Sequence, residues 1–254
     1  MTATLANISG APPGARLEAL SNRLAHNYRS GEGPPLLFLP GYGSDMSGSK
    51  AVALDAWAAN RGRAYLRFDY RGCGADAARF EQFTLEDWLD DALAALDALA
   101  GPAVVIGSSM GGWLMLHLAL RRPERVAALV GIAAAPDFTE WDFDPERRHL
   151  LFRDGFLAEA SPYGGTTVTT KRLWESGQRL LVLDQAPLPI SCPVRLLHGQ
   201  ADPDVPWELS LRLAAALGSP DVQVTLVKDG DHRLSRPQDV ALLTATLDQL
   251  VGNL

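Results

Sequence analysis

The chain has 254 residues, 47% hydrophobic and 21% charged, a balance that permits a sizeable buried core and fits one domain spanning 1–254. A net charge of -7 argues against nucleic acid and anionic membrane surfaces as partners, because neither attracts an acidic protein. Cys73 and Cys192 show no CxxC or Cys/His spacing suited to zinc, so no metal is expected and a reducing, cytoplasmic setting is.

The opening MTATLANISGAPPGARLEAL lacks the charged segment and apolar run of a secretory signal. Strands are predicted over 23–28, 36–39, 64–69, 103–107, 127–133, 194–198 and 223–227, as short apolar runs bounded by turn residues. Helices are clearest over 84–99, 110–121, 208–217 and 238–250, where apolar residues recur at three- and four-residue spacings. This alternation predicts a mostly parallel sheet with helices on both faces. About 137–189 breaks the rhythm: it is rich in charged and aromatic residues, with Pro, Gly and Thr breakers over 162–170. It reads as a small helical cap over the carboxyl ends of the strands, where open α/β sheets bind ligands. Trp141, Phe143, Leu150, Leu151, Phe152 and Phe156 could line a lid over an apolar substrate or form the cap's own small core. The apolar stretches, such as 126–136, fall short of the roughly 20 residues that span a bilayer, so no membrane insertion is expected.

Between the strand 103–107 and the helix that follows lies Gly107-Ser108-Ser109-Met110-Gly111. A GxSxG string gains meaning in a strand, tight turn, helix setting, where the turn thrusts a serine outward and glycines remove Cβ clashes. The glycine spacing puts Ser109 at the apex, with Ser108 as the neighbouring rival. The helix start directs free N–H groups and a positive dipole end toward a developing oxyanion, and Met110 is the expected N–H donor there.

A serine hydroxyl needs an imidazole to take its proton and a carboxylate to orient that imidazole. His232, in Asp229-Gly230-Asp231-His232-Arg233 after the last strand, stands where the order Ser, Asp, His places the base. His117 lies within the helix after Ser109 and reads as structural; His26 and His149 have no motif around them. His198 opens the turn His198-Gly199-Gln200-Ala201-Asp202-Pro203-Asp204 and reads as shaping it. Asp202 is the favoured acid, with Asp204 as a local rival or helix cap, and Asp231 as a further carboxylate beside the base. A second oxyanion donor is expected from Leu39-Pro40-Gly41-Tyr42-Gly43-Ser44, at the Tyr42 N–H. Cys73, in Asp69-Tyr70-Arg71-Gly72-Cys73-Gly74, has no histidine paired with it in sequence and reads as a packing residue.

These motifs resemble the α/β-hydrolase superfamily over nearly the whole chain. The segments 41–50, 107–117 and 198–207 are similar to the subgroup of the mitochondrial palmitoyl-protein thioesterases that also cleave acyl glucuronides. The resemblance implies an α/β-hydrolase fold and cleavage of carboxylic esters or acyl-thioesters through Ser109, Asp202 and His232. No cofactor is implied, and the expected partner is a small-molecule ester, an acyl-thioester or an acylated protein. The same triad also serves C–C hydrolases, lyases and cofactor-free perhydrolases, and a catalytically silent binding module would keep the scaffold alone.

Overall fold

The computed structural model describes residues 13–160 and 164–254. Residues 1–12 of the N-terminal stretch read above, and Pro162 among the breakers, lie outside the described residues. After α1 (Pro13–Ser21) come β1 (His26–Arg29), β2 (Glu32–Leu39), α2 (Ser49–Asn60), β3 (Arg63–Phe68), a 3-10 stretch (Gly74–Gln82) and α3 (Leu85–Ala98). Then follow β4 (Ala103–Ser108), α4 (Met110–Arg121), β5 (Val126–Ile132), α5 (Phe138–Trp141), α6 (Pro145–Asp154), β6 (Phe156–Ala160), β7 (Thr166–Thr170) and α7 (Lys171–Gln178). The chain closes with β8 (Val194–Gly199), α8 (Glu208–Ala216), β9 (Val222–Val227) and α9 (Pro237–Val251).

Seven strands form one sheet in the order β1-β3-β2-β4-β5-β8-β9. β1 is antiparallel to β3, and the other pairings in this sheet are parallel. Burial on both faces explains why the inner strands read as unbroken apolar runs. Leu37, Leu39, Val105, Leu129 and Leu196 point into the core shared with α3, α4 and α8. Their neighbours Leu36, Phe38, Val104, Ile106, Val130 and Leu197 point into the core shared with α2 and α9. The crossover from β3 to β4 passes over β2, and from β4 onward the chain builds in the opposite direction. The carboxyl ends of β2 and β4 therefore flank the switch point, where such sheets open a crevice.

Predicted strand boundaries move by one to four residues, most at the starts of the first two strands. The first begins at His26 because Arg23 instead reaches the buried Asp91, with its Nη2 2.9 Å from Oδ1. β5 stops at Ile132 because Ala133 turns to a φ of 44°. α2 is not among the helices that the spacing predicts, because its Ala-rich sequence carries only a weak amphipathic stripe.

The segment between β5 and β8 holds the expected helices, but also an antiparallel hairpin in which Phe156 pairs with Thr170 and Ala160 with Thr166. Thr-Thr-Val-Thr-Thr suits a strand because β-branched side chains fit a pleated surface. Its two ends are tied together by Asp137, whose carboxylate accepts from Val182 N–H at 2.9 Å and Leu183 N–H at 2.8 Å. Phe143, Leu151 and Leu157 form a small core of their own, with Leu150 and Trp174 packed against it. Phe152 and Phe156 stay exposed.

α4 is joined to the end of this segment through the Leu180 carbonyl, which accepts from Trp113 Nε1 at 3.0 Å and His117 Nε2 at 2.8 Å. His117 is buried, as its structural reading requires, and burial pulls its imidazole down to about 4. Because the unfolded chain takes up this proton near pH 6.5, the neutral imidazole's contribution is full above that value. It is lost as the pH falls through the folded pKa, at about 1.4 kcal/mol per pH unit. Between pH 7.5 and 5 this one group is expected to remove about 2 kcal/mol of stability. His117→Gln keeps an N–H donor but does not titrate, so the gap between urea unfolding free energies at the two pH values should shrink by about that amount; an unchanged gap would contradict the assignment.

Candidate active site

The Ser109 turn is shaped by close backbone packing. Ser109 adopts φ 52° and ψ -117°, a region that costs a non-glycine residue on the order of 1–3 kcal/mol and persists only where the surroundings enforce it. They do so here: Ser109 N–H donates to the Ile132 carbonyl at 2.9 Å, and Ser109 O accepts from Gly112 N–H at 2.8 Å and Ala135 N–H at 3.1 Å. A Cβ on Gly111 would stand 2.1 Å from the Leu39 carbonyl oxygen, and one on Gly107 would stand 2.3 Å from the Gly111 oxygen. The two glycines of GxSxG thus let the start of α4 press against the ends of β2 and β4.

Three further loops meet Ser109 from neighbouring strand ends. The turn after β8 brings Asp202, the loop after β9 brings His232, and the loop after β2 brings Gly41 and Tyr42. His232 Nε2 lies 3.1 Å from Ser109 Oγ, and His232 Nδ1 lies 2.8 Å from Asp202 Oδ2. The Asp202 side chain is fully buried. Its Oδ1 accepts from the backbone N–H groups of Asp204 at 2.8 Å and Val205 at 2.9 Å, and its Oδ2 is also approached by His198 Nε2 at 3.1 Å. Burial pushes this carboxyl up, but the hydrogen bonds of His198 and His232, the charge of His232 and the Val205 N–H outweigh it. The group is held well below the usual carboxylate range. An ionised acceptor at Nδ1 leaves Nε2 ready to take a proton from Ser109 Oγ, which is the polarity that serine activation requires.

The sequence rivals separate cleanly from this line. Ser108 is the last residue of β4 and is buried. Asp204 lines the cavity beside His232 rather than capping α8, whose N-cap is Trp207. Asp231 turns into its own loop and accepts from Leu234 N–H at 2.9 Å. Cys73 lines the cavity too, but burial, with Asp69 and Asp91 adding to it, pushes its thiol up to about 12, far from the thiolate needed for attack. Asp202, Asp204 and His232 offer ligand atoms within 4.8 Å of one another, and the Asp202 carboxylate there is already engaged by His232 and by two backbone N–H groups.

A Cβ on Gly41 would lie 3.3 Å from Ser109 Cβ, so its backbone passes directly over the serine. Tyr42 and Met110 border the same cavity, and Met110, as the first residue of α4, has an N–H with no acceptor inside the helix. The Tyr42 phenol donates to the Val168 carbonyl of β7 at 2.6 Å and packs edge-on to Phe80 and Phe138, with ring centroids 5.0 and 6.1 Å away. The cavity measures about 770 Å³. Phe80, Phe138, Trp141 and Phe143 supply an aromatic wall, and Thr166 to Thr169 of the hairpin close one side. The motifs do not point to the contributions of the 3-10 stretch and the hairpin. The β-branched run Thr-Thr-Val-Thr-Thr is the available signal for the hairpin. Lys50, also unanticipated, donates from Nζ to the Arg233 carbonyl, while Ser49 Oγ donates to Ser235 Oγ at 3.2 Å. The start of α2 thereby ties down the loop that carries His232; burial, with Arg233 adding to it, lowers the Lys50 ammonium to about 8.

A parallel sheet switching direction at β2 and β4, with a strained serine turn at that point, defines a class, and the chain belongs to the alpha/beta hydrolase fold family, whose profile matches residues 34–191. Among its relatives is the mitochondrial palmitoyl-protein thioesterase ABHD10. The mouse protein is 41% identical over 238 residues, covering 91% of this chain and 80% of that protein, and the human one is 40% identical, covering 91% and 77%. The structure of mouse alpha/beta hydrolase domain-containing protein 10 superposes with a TM-score of 0.83 at 40% identity, covering 91% of this chain and 94% of that one. Among the described residues, no helix is long and apolar enough to cross a membrane.

Proposed function

We propose that the chain is a serine hydrolase that cleaves carboxylic esters or acyl-thioesters through Ser109, His232 and Asp202. The observation that carries this reading is the unbroken line from Ser109 Oγ to His232 Nε2 at 3.1 Å and from His232 Nδ1 to Asp202 Oδ2 at 2.8 Å, opening on the cavity. Ser109 Oγ attacks the acyl carbon as His232 Nε2 takes its proton. The tetrahedral oxyanion is met by the N–H groups of Tyr42 and Met110. Collapse breaks the bond to the alcohol or thiol, which leaves with the proton returned by His232. Water then attacks the acyl-enzyme, again deprotonated by His232, and releases the carboxylic acid and Ser109.

In this reading residues 137–189 are a cap inserted into a single domain, and Phe138, Trp141 and Phe143 give the acyl group an apolar wall. The activity for which the relatives are named, palmitoyl-protein thioesterase, supports a thioester leaving group and a long acyl chain. Matched series of p-nitrophenyl esters and acyl-thioesters of increasing chain length test the proposal. Turnover of both series is expected, with kcat/KM rising with chain length as more of the aromatic wall is covered, by about tenfold for each 1.4 kcal/mol of added transition-state binding. Absence of turnover in both series by folded protein would overturn it.

A further inference from the structure

His198 takes no part in the proton path from Ser109 to Asp202, yet its imidazole is wholly buried against the same carboxylate. It is the penultimate residue of β8, four residues before Asp202, and its Nε2 lies 3.1 Å from Asp202 Oδ2 and 3.1 Å from the Val205 carbonyl oxygen. Both neighbours are acceptors, since the carboxylate is ionised, so Nε2 must carry a hydrogen. On the other side of the ring, Nδ1 is 2.7 Å from Ser210 Oγ of α8, itself buried. A hydroxyl donating to Nδ1 completes a neutral imidazole of one defined tautomer.

We propose that His198 is a positioning residue, whose Nε2–H, fixed in that tautomer by the Ser210 hydroxyl, holds Asp202 in the rotation that presents Oδ2 to His232. This rests on the serine-hydrolase reading above. The physical need is plain. The terminal torsion of an aspartate is soft, and the two backbone donors, Asp204 and Val205, both bind Oδ1. With one oxygen held, the carboxylate can pivot about it and swing Oδ2 away from His232. His198 approaches Oδ2 from the strand side and blocks that pivot. His232 is thereby held at the distance from Ser109 on which proton transfer depends.

Three variants test the proposal by steady-state kinetics and by the rate of fluorophosphonate labelling. His198→Leu removes the donor while keeping an apolar side chain, and kcat should fall by about 10- to 100-fold with KM little changed, the size expected of a misplacement approaching 1 Å. His198→Gln can return an N–H near the Nε2 position and should recover most of that loss, which a purely structural residue would not show. Ser210→Ala frees the tautomer, and kcat should fall by several-fold, roughly 3 to 10. Wild-type kcat in His198→Leu would overturn the proposal, as would equal kcat losses in the Leu and Gln variants. Should the Leu variant fail to fold, wild-type kcat in Ser210→Ala overturns it instead. Failure of the wild-type protein to label at Ser109 would strike the serine-hydrolase reading; normal labelling of both the wild type and His198→Leu would strike the positioning role alone.

Discussion

Ser109→Ala is expected to lower ester and thioester turnover by at least about 10³-fold, while Ser108→Ala keeps activity within about tenfold of the wild type. In the proposed mechanism, loss of the hydroxyl removes the atom that would form the acyl-enzyme, leaving the N–H groups of Tyr42 and Met110 to stabilise only direct attack by water. The Cβ is unchanged, so the backbone at φ 52° keeps the same anchors on Ile132, Gly112 and Ala135. Thermal melting should therefore stay close to that of the wild type, separating lost chemistry from lost fold. Ser108 lies in the regular end of β4, where it pairs with Ile132 of β5, whereas the His232 imidazole bonds to Ser109 Oγ. Initial rates on one ester and one thioester, with melting curves for both variants, check the pair. A larger loss for Ser108→Ala than for Ser109→Ala would move the nucleophile.

Asp202→Asn is the second large effect, and the hydrogen bonds around the side chain say how it arises. The two backbone N–H groups at Oδ1 demand an acceptor, so the amide oxygen settles there and the NH₂ faces His232 and His198. His232 Nδ1 must then accept, which moves its hydrogen to Nε2 and points it at Ser109 Oγ. The imidazole can no longer take the serine proton. A fall in kcat of about 10⁴-fold with a small change in KM is expected, because the tautomer is wrong while the cavity is intact. Asp204→Asn should cost far less, within about tenfold, since the variant keeps the backbone N–H that binds Asp202 Oδ1, and His232 Nδ1 bonds to Asp202 Oδ2. Steady-state kinetics of the two variants side by side check this, and equal losses would assign the acid wrongly.

The Asp202 carboxyl also links the site to acid stability. Its folded pKa is depressed, so its contribution is fully present above the unfolded value of about 3.9 and is lost as the pH falls from there toward the folded value. That window lies below the one in which His117 acts, so the two groups separate on an acid titration of stability.

Much of this was legible in the sequence, for physical reasons that can be named. Ala103-Val104-Val105-Ile106 reads as a strand because both faces of β4 are covered, and the serine turn needs glycines because a Cβ at either position would strike backbone. Asp202 and His232 were legible because chain order and strand ends fix where an acid and a base can stand. What was hidden depends on contacts between distant segments. Nothing local in Arg23 tells that it leaves the first strand to meet Asp91. His198 reads as a turn-shaping residue because its bonds to Asp202 and Ser210 appear only when β8 packs against α8. The hairpin over 156–170 was obscured because its glycine and proline punctuation suggests an irregular loop, although the threonines between and after it pair across to Phe156 through Ala160.

Labelling with a fluorophosphonate probe, followed by digestion and mass spectrometric mapping of the adduct, tests the central claim most directly. A single adduct on Ser109, formed in step with loss of esterase activity and absent from Ser109→Ala, is the predicted result. An adduct on Ser108 or Cys73, or full turnover with Ser109 blocked, would contradict it.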